Sequence, residues 1–306
     1  MIDQIRNATM SNKNIRLVLI VAIISGLLIE VVSFLSGNGG LLPGQIIGAL
    51  FPRLNFSLLT AHSNILTYES FESGVEIRFV NIILFSLTMI GLSVWKNSKG
   101  EKVKLLRFAL SVLLFGSFLN LVSLLIGPVT FLSYLFNSMS GVAKWSFWII
   151  SVLSHSVWVY LFYGILNTLS TGKNTETTPV SKQSRVYHLV LDSLLSLFMC
   201  SYIVIQITRG FLASLSDAIP EILMGYLLII IGRIIYFTFF ETIFGLTPTK
   251  LLTGSKVVLI TGERLDFQKV LLRSLARHIP FNTFSYLKKG DGWHDQISGT
   301  RVVKEQ

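Results

Sequence analysis

One cysteine, Cys200, stands in 306 residues. An intrachain disulfide and a cysteine metal cluster are therefore both excluded. Cys200 lies inside an apolar run, where a small packing role is expected rather than redox chemistry. Charge is scarce as well: 14% of the residues are charged against 51% hydrophobic, and the mean hydropathy is +0.64. An ordinary soluble domain carries about 25% charged residues, so the surface of one is missing here. Acids are the scarcer sign, 16 Asp and Glu against 26 Lys and Arg, which leaves a formal charge of +10. Enzyme fingerprints are missing too. The chain contains no Gly-x-Ser-x-Gly, no His-Glu-x-x-His and no Gly-Lys-Ser/Thr phosphate loop, so no catalytic residue, cofactor or metal is expected. No recognition motif accompanies the basic residues, and nucleic acid is not an expected partner.

What is present is a series of apolar runs, each long enough to cross a hydrocarbon core of about 30 Å as a helix. They predict an all-α polytopic membrane protein with six transmembrane helices, at about 15–35, 79–95, 105–126, 145–166, 185–208 and 221–244. Trp95, Trp145 and Trp148 stand at run ends, where an amphipathic ring suits the membrane boundary. Two pieces of the 36–78 loop, 41–50 and 54–66, are apolar but too short to span and are expected at the interface. Lys and Arg gather in alternate connections: Arg6, Lys13 and Arg16, then Lys96, Lys99, Lys102, Lys104 and Arg107, then the linker and the tail. Cytoplasmic loops carry this excess, so both termini are expected on the cytoplasmic side of a multi-pass cell-membrane protein. Anionic lipid at that face is the expected partner, with a second membrane protein or another copy of the chain beside it. Between Asn167 and Ser184 the composition turns polar and Thr-rich, too poor in apolar groups to fold alone. A linker is expected over 171–184, dividing a four-helix region, 1–170, from a C-terminal domain, 185–306.

The tail has its own pattern. Lys256-Val-Val-Leu-Ile-Thr-Gly262-Glu-Arg-Leu265 is a β-branched run with a glycine turn and predicts a short cytoplasmic β-hairpin, to which Gly299–Lys304 could add a third strand. Asp266 is placed to cap a helix over 267–278 that Pro280 ends. Lys269, Arg273 and Arg277 recur on one side of it and Val270, Leu271, Leu275 and Ile279 on the other. That pattern predicts an amphipathic helix in the membrane interface with its basic stripe toward anionic headgroups, extended by Phe281, Phe284 and Tyr286. A cytosolic helix packed on its own hairpin is the alternative.

Charges inside the last two apolar runs are the candidate functional cluster: Arg185, His188, Asp192, Arg233 and Glu241, with Asp295 near their mouth. An ionisable group at membrane depth costs a few kcal/mol and normally faces a partner or a wet cavity. Arg185 and Asp192 lie two turns apart, about 10 Å along a helix axis, with His188 between them. The next run returns in the opposite direction, so depth predicts two pairs, Arg233 with Asp192 and Glu241 with Arg185. Such a set is either a relay or ion site or a clasp between two helices. In the first four runs, Glu30 is expected to reach headgroups and His155 to be a core histidine, although a neutral imidazole could serve a proton path.

These residues resemble the RDD family of membrane proteins, named for one arginine and two aspartates. The matching pieces are Arg185 with Asp192, Glu241 leading to Gly245-Leu-Thr247-Pro248-Thr249-Lys250, Lys256-Val257-Val258, Arg273 and Arg277, then His294-Asp295 with Ser298-Gly299-Thr300-Arg-Val302-Val303. The resemblance covers 185–303 and implies that Arg185, Asp192 and Asp295 are the name-giving residues. It implies motif positions at Thr247, Pro248, Lys250, Arg273, Arg277, Gly299 and Thr300. It also implies two transmembrane helices with a cytoplasmic tail, and a role in small-solute or ion transport, of cations or protons, or in a subunit of such a system. Thr249 departs from the family, which usually has glycine after Thr-Pro, and a differently shaped turn is expected there. No inverted repeat relates the two halves, as one does in many secondary transporters. The alternative function is a non-transporting scaffold or assembly factor whose charges hold helices and whose tail recruits a partner.

Overall fold

The fold is described here from a computed structural model, over residues 12–35, 74–95, 103–126, 141–169, 175–210, 221–261, 265–280, 282, 285 and 292–305. Six long helices lie where the apolar runs stand: α1 (Asn12–Leu35), α2 (Gly74–Trp95), α3 (Lys104–Ile126), α4 (Gly141–Leu169), α5 (Lys182–Gly210) and α6 (Glu221–Phe244). Most of them begin a few residues before the apolar runs do, because backbone hydrogen bonding continues past the first polar side chain. Among the described residues, three helical stretches are long and apolar enough to cross a membrane: Lys104–Val122, Trp145–Asn167 and Gly225–Phe244. The apolar parts described in α1 and α2, Arg16–Leu28 and Asn81–Val94, are shorter.

Helix α3 is central. Leu106, Ala109, Leu110, Leu113, Leu114 and Phe115 are all buried, so this helix is apolar around its whole circumference and covered by neighbours. The Phe115 ring meets Tyr236 edge-on, with centroids 5.4 Å apart, and lies 5.1 Å from Phe240. Phe118 lies 4.6 Å from Phe239. One buried cluster thus runs from Leu19 in α1 to Phe240 in α6. Residues from both sides of the 171–184 linker contribute to this one core. Outward, α4 exposes Ile149, Leu153 and Val157, and α5 exposes Val190, Leu194 and Leu197. An apolar exterior of this kind suits lipid as the solvent. Between α5 and α6 the backbones approach closely at Gly232, where an added Cβ would lie 2.5 Å from that of Cys200. Cys200 is buried there and donates its thiol proton to the Gly232 carbonyl, 3.0 Å away, in the packing role its apolar setting suggested.

The polar linker contains a strand. β1 (Thr175–Pro179) pairs antiparallel with β3 (Thr300–Glu305), whose other edge takes β2 (Ser255–Leu259). The order is β1-β3-β2, with Val257 opposite Val302 and Leu259 opposite Thr300. The strand expected at 299–304 thus pairs with β2, while the turn of the expected hairpin, 262–264, lies outside the described residues. Pro179 is tolerated because β1 is an edge strand, where an absent N–H leaves no ladder bond unmade. Val180, Val257 and Val302 close a small core beneath the sheet. The loop pieces 41–50 and 54–66, and Phe281, Phe284 and Tyr286, also lie outside the described residues, as does the side chain of Glu30.

Three short helices complete the tail: α7 (Pro248–Thr253), α8 (Phe267–Ala276) and α9 (Trp293–Ser298). Pro248 opens α7, where its missing N–H would have had no helical partner. Gly254 and Gly299 end α7 and α9 in the left-handed region, at φ 62° and 65°. Thr249 is buried within α7, so that position needs no left-handed residue and threonine fits it without strain. Asp266 sits at the N-cap of α8 without a capping hydrogen bond.

Candidate functional site

The site forms where α5 and α6 meet the tail, and the tail supplies most of its cations. Glu241, buried near the end of α6, accepts from Lys250 Nζ at 2.7 Å and from Arg277 Nη2 at 2.6 Å, both on Oε1. Its Oε2 lies 3.2 Å from Arg273 Nε, an ion pair whose angle is not that of a straight hydrogen bond. Asp295, buried in α9, accepts from Arg185 Nη1 at 3.2 Å on Oδ2 and from Arg273 Nη1 on Oδ1. Arg273 also donates to Thr300 Oγ1. With 1% of its surface exposed, Arg273 is among the largest fully buried side chains and joins the two carboxylates. A planar fork carries its donors on separate nitrogens and so spans two acids that a single ammonium nitrogen would have to share.

Asp192 is held differently. It is 2% exposed, and accepts from Thr247 Oγ1 at 2.6 Å and Tyr236 Oη at 3.0 Å. Thr247 occupies the N-cap of α7 but does not cap it, because its hydroxyl is directed to the aspartate. Among the described residues, no salt bridge within 4.0 Å includes Asp192, whereas Glu241 and Asp295 each have at least two. Nearby, His188 hydrogen-bonds Thr253 Oγ1 at 2.5 Å and Ser255 Oγ at 3.1 Å.

Both expected pairings are therefore corrected. Arg233 donates to Ser193 Oγ at 3.0 Å rather than to Asp192, and Glu241 is answered by three tail cations rather than by Arg185. Counting depth along two ideal helices omitted the tail, which inserts Lys250, Arg273 and Arg277 beside α6. The expected basic stripe toward headgroups is corrected with them. Lys269 is exposed, but Arg273 is buried and Arg277 nearly so. Sequence reading missed Tyr236, Ser193, Thr253 and Ser255; Tyr236 lies one turn beyond Arg233, the only local sign that it faces the same cluster. His155 is buried, as a core histidine would be.

In the tail, burial lowers the pKa of Lys250 and the Glu241 carboxylate opposes that shift. Burial, then the charges of Arg273 and Arg277, hold His294 well below the ordinary imidazole range. Its Nε2 lies 3.8 Å from Asp295 Oδ1, but a neutral ring makes that contact dipolar rather than an ion pair. The unfolded chain takes up a proton at this residue near pH 6.5, and the folded chain does not. The stability contributed is present above that pH and falls as pH drops below it. His294→Gln should accordingly flatten the decline in thermal midpoint between about pH 7.5 and 5.5. An unchanged slope would assign the decline to other groups.

No curated protein and no solved structure matches the chain. An RDD family domain occupies residues 179–298, the stretch that holds every one of these ion pairs.

Proposed function

We propose that the protein is a six-span component of a small-solute or ion transport system in the cell membrane, with both termini cytoplasmic, and that Asp192 is the acid that takes up and releases the coupling proton or cation. The supporting observation is the contrast among the three buried acids. Four cations face Glu241 and Asp295, so that half of the cluster repels another cation and resists protonation. Asp192 is held by two neutral hydroxyls. A hydroxyl donates to a carboxylate and accepts from a carboxylic acid, so both charge states of Asp192 can be satisfied in place. A buried ionisable residue whose direct hydrogen-bond partners are neutral, with Lys250 and Arg233 acting only from farther off, is a group that can change state.

The test is purified full-length protein in liposomes holding a pH-sensitive dye, challenged with sodium or potassium gradients. Wild type should give a cation-driven pH change, and Asp192→Asn should reduce it to the level of protein-free liposomes. The amide retains acceptor and donor positions for both hydroxyls, so the variant should fold at a cost of about 1 kcal/mol. An Asp192→Asn protein that moves protons as wild type does would end the assignment. The second reading, a scaffold, is favoured by the completeness of the Glu241 and Asp295 pairs. It would prevail if wild type moved no protons under any gradient.

A further inference from the structure

Helix α8 is turned against the usual sense of an amphipathic segment. Its charged edge faces inward and its apolar edge outward. Arg273 and Ser274 are buried with Val270, while Leu272, Leu275 and Ile279 keep 40%, 48% and 40% of their surfaces exposed. Depth can be read from its contacts. Arg273 meets Glu241, and one turn on Arg277 meets Glu241 as well as Phe237. The Arg277 guanidinium carbon lies 4.0 Å over the centre of the Phe237 ring. Phe237 is inside the apolar stretch Gly225–Phe244, about 10 Å along the axis from its end. Beyond it, His278 is lowered to about 4 by burial first and then by the charge of Arg233, one turn deeper in α6. So α8 descends beside α6 rather than lying across its end.

We propose that α8 is a half-inserted helix, with Leu272, Leu275 and Ile279 in the acyl region of the leaflet that receives the end of α6. Two charged side chains could not be carried to that depth alone. Glu241 and Asp295 answer them on the inner side, and the outer side is left with what lipid accepts. The outward surface also changes along the helix in the order a leaflet requires. Asp266, Gln268 and Lys269 are exposed at the shallow end around Phe267, a ring suited to the headgroup boundary. Leu275, with Ile279 just past the helix, is exposed at the deep end. The occupant is lipid because the apolar edge flanks an apolar spanning helix and begins at a polar rim. A water-soluble partner would meet neither feature. This inference stands apart from the transport reading.

Nitroxide labels at Lys269→Cys, Leu272→Cys and Leu275→Cys, each in full-length Cys200→Ser protein, test it in vesicles of phosphatidylcholine and phosphatidylglycerol. Collisions with oxygen should dominate at 272 and 275, and collisions with a water-soluble nickel chelate at 269, a reversal of several-fold in their ratio. Nickel access at 275 equal to that at 269 would overturn the proposal. So would a label at 275 closed to both reagents, which would mean a protein partner or second copy covers the edge. If Cys200→Ser folds poorly, the same labels in protein retaining the buried Cys200 give the same comparison.

Discussion

Glu241→Gln should remove most of the folded yield of this protein. The carboxylate answers Lys250, Arg273 and Arg277, all buried or nearly so. An amide would leave Lys250 and Arg277 without a balancing charge, leave Arg273 with Asp295 alone, and turn its own N–H toward one of the three. Breaking a buried pair by removing one partner costs about 3–5 kcal/mol. Whole-domain stability is about 5–15 kcal/mol, so the loss is a large share of it. The readout is the monodisperse fraction in detergent by fluorescence-detected size exclusion. Adding Lys250→Met should restore part of the yield, since one uncompensated charge is removed with its partner, and such recovery marks direct coupling. A Glu241→Gln protein with wild-type yield would show that the cluster contributes little to folding.

Arg273→Lys should fail to substitute for arginine although charge is conserved. An ammonium group is a point charge with three donors on a flexible stem and cannot reach Glu241, Asp295 and Thr300 together. We expect a loss of about 2–3 kcal/mol, the cost of buried acceptors left without donors. The effect should concentrate where α9 and β3 are tied to α6 through this residue. Protease cleavage at Arg301 or Lys304 should rise sharply in Arg273→Lys while cleavage elsewhere changes little. Equal protection of that segment in the variant and in wild type would mean that Arg273 is not the tie.

Much of this was legible in the sequence, for reasons that vary by residue. The positions of the six long helices follow from apolar runs, which report burial or lipid contact without needing to know the neighbours. Arg185, Asp192 and Glu241 were found because a charge in such a run has few explanations. Their partners were not, because partnership is decided by how the tail returns to the helices. Thr247 could be read as a turn residue, but not as a donor to a carboxylate 55 positions earlier. Tyr236 looked like one more ring among phenylalanines, since only its hydroxyl separates the two roles. β1 was invisible for a related reason: Thr175–Pro179 has no apolar alternation, and its strand character comes from β3. The tail helix was found in place but read with its faces exchanged. The period gives the two edges, and only the acids opposite decide which edge goes inward.

The middle position of β3 has a consequence for biosynthesis. β1 leaves the ribosome before α5 and α6, while the strand it pairs with follows about 125 residues later. At roughly 5–20 residues per second, that is an interval on the order of ten seconds. During it, α5 and α6 can enter the membrane, but Arg185 has no Asp295 and both outer strands have open edges. Closing so long a loop is also slow compared with forming local helices. Throughout that interval the chain needs either a chaperone at its exposed strands or lipid around its uncompensated charges. Asp295 is the last of the ion-pair residues to be made, so a chain halted before it would have its helices inserted and its clasp still open.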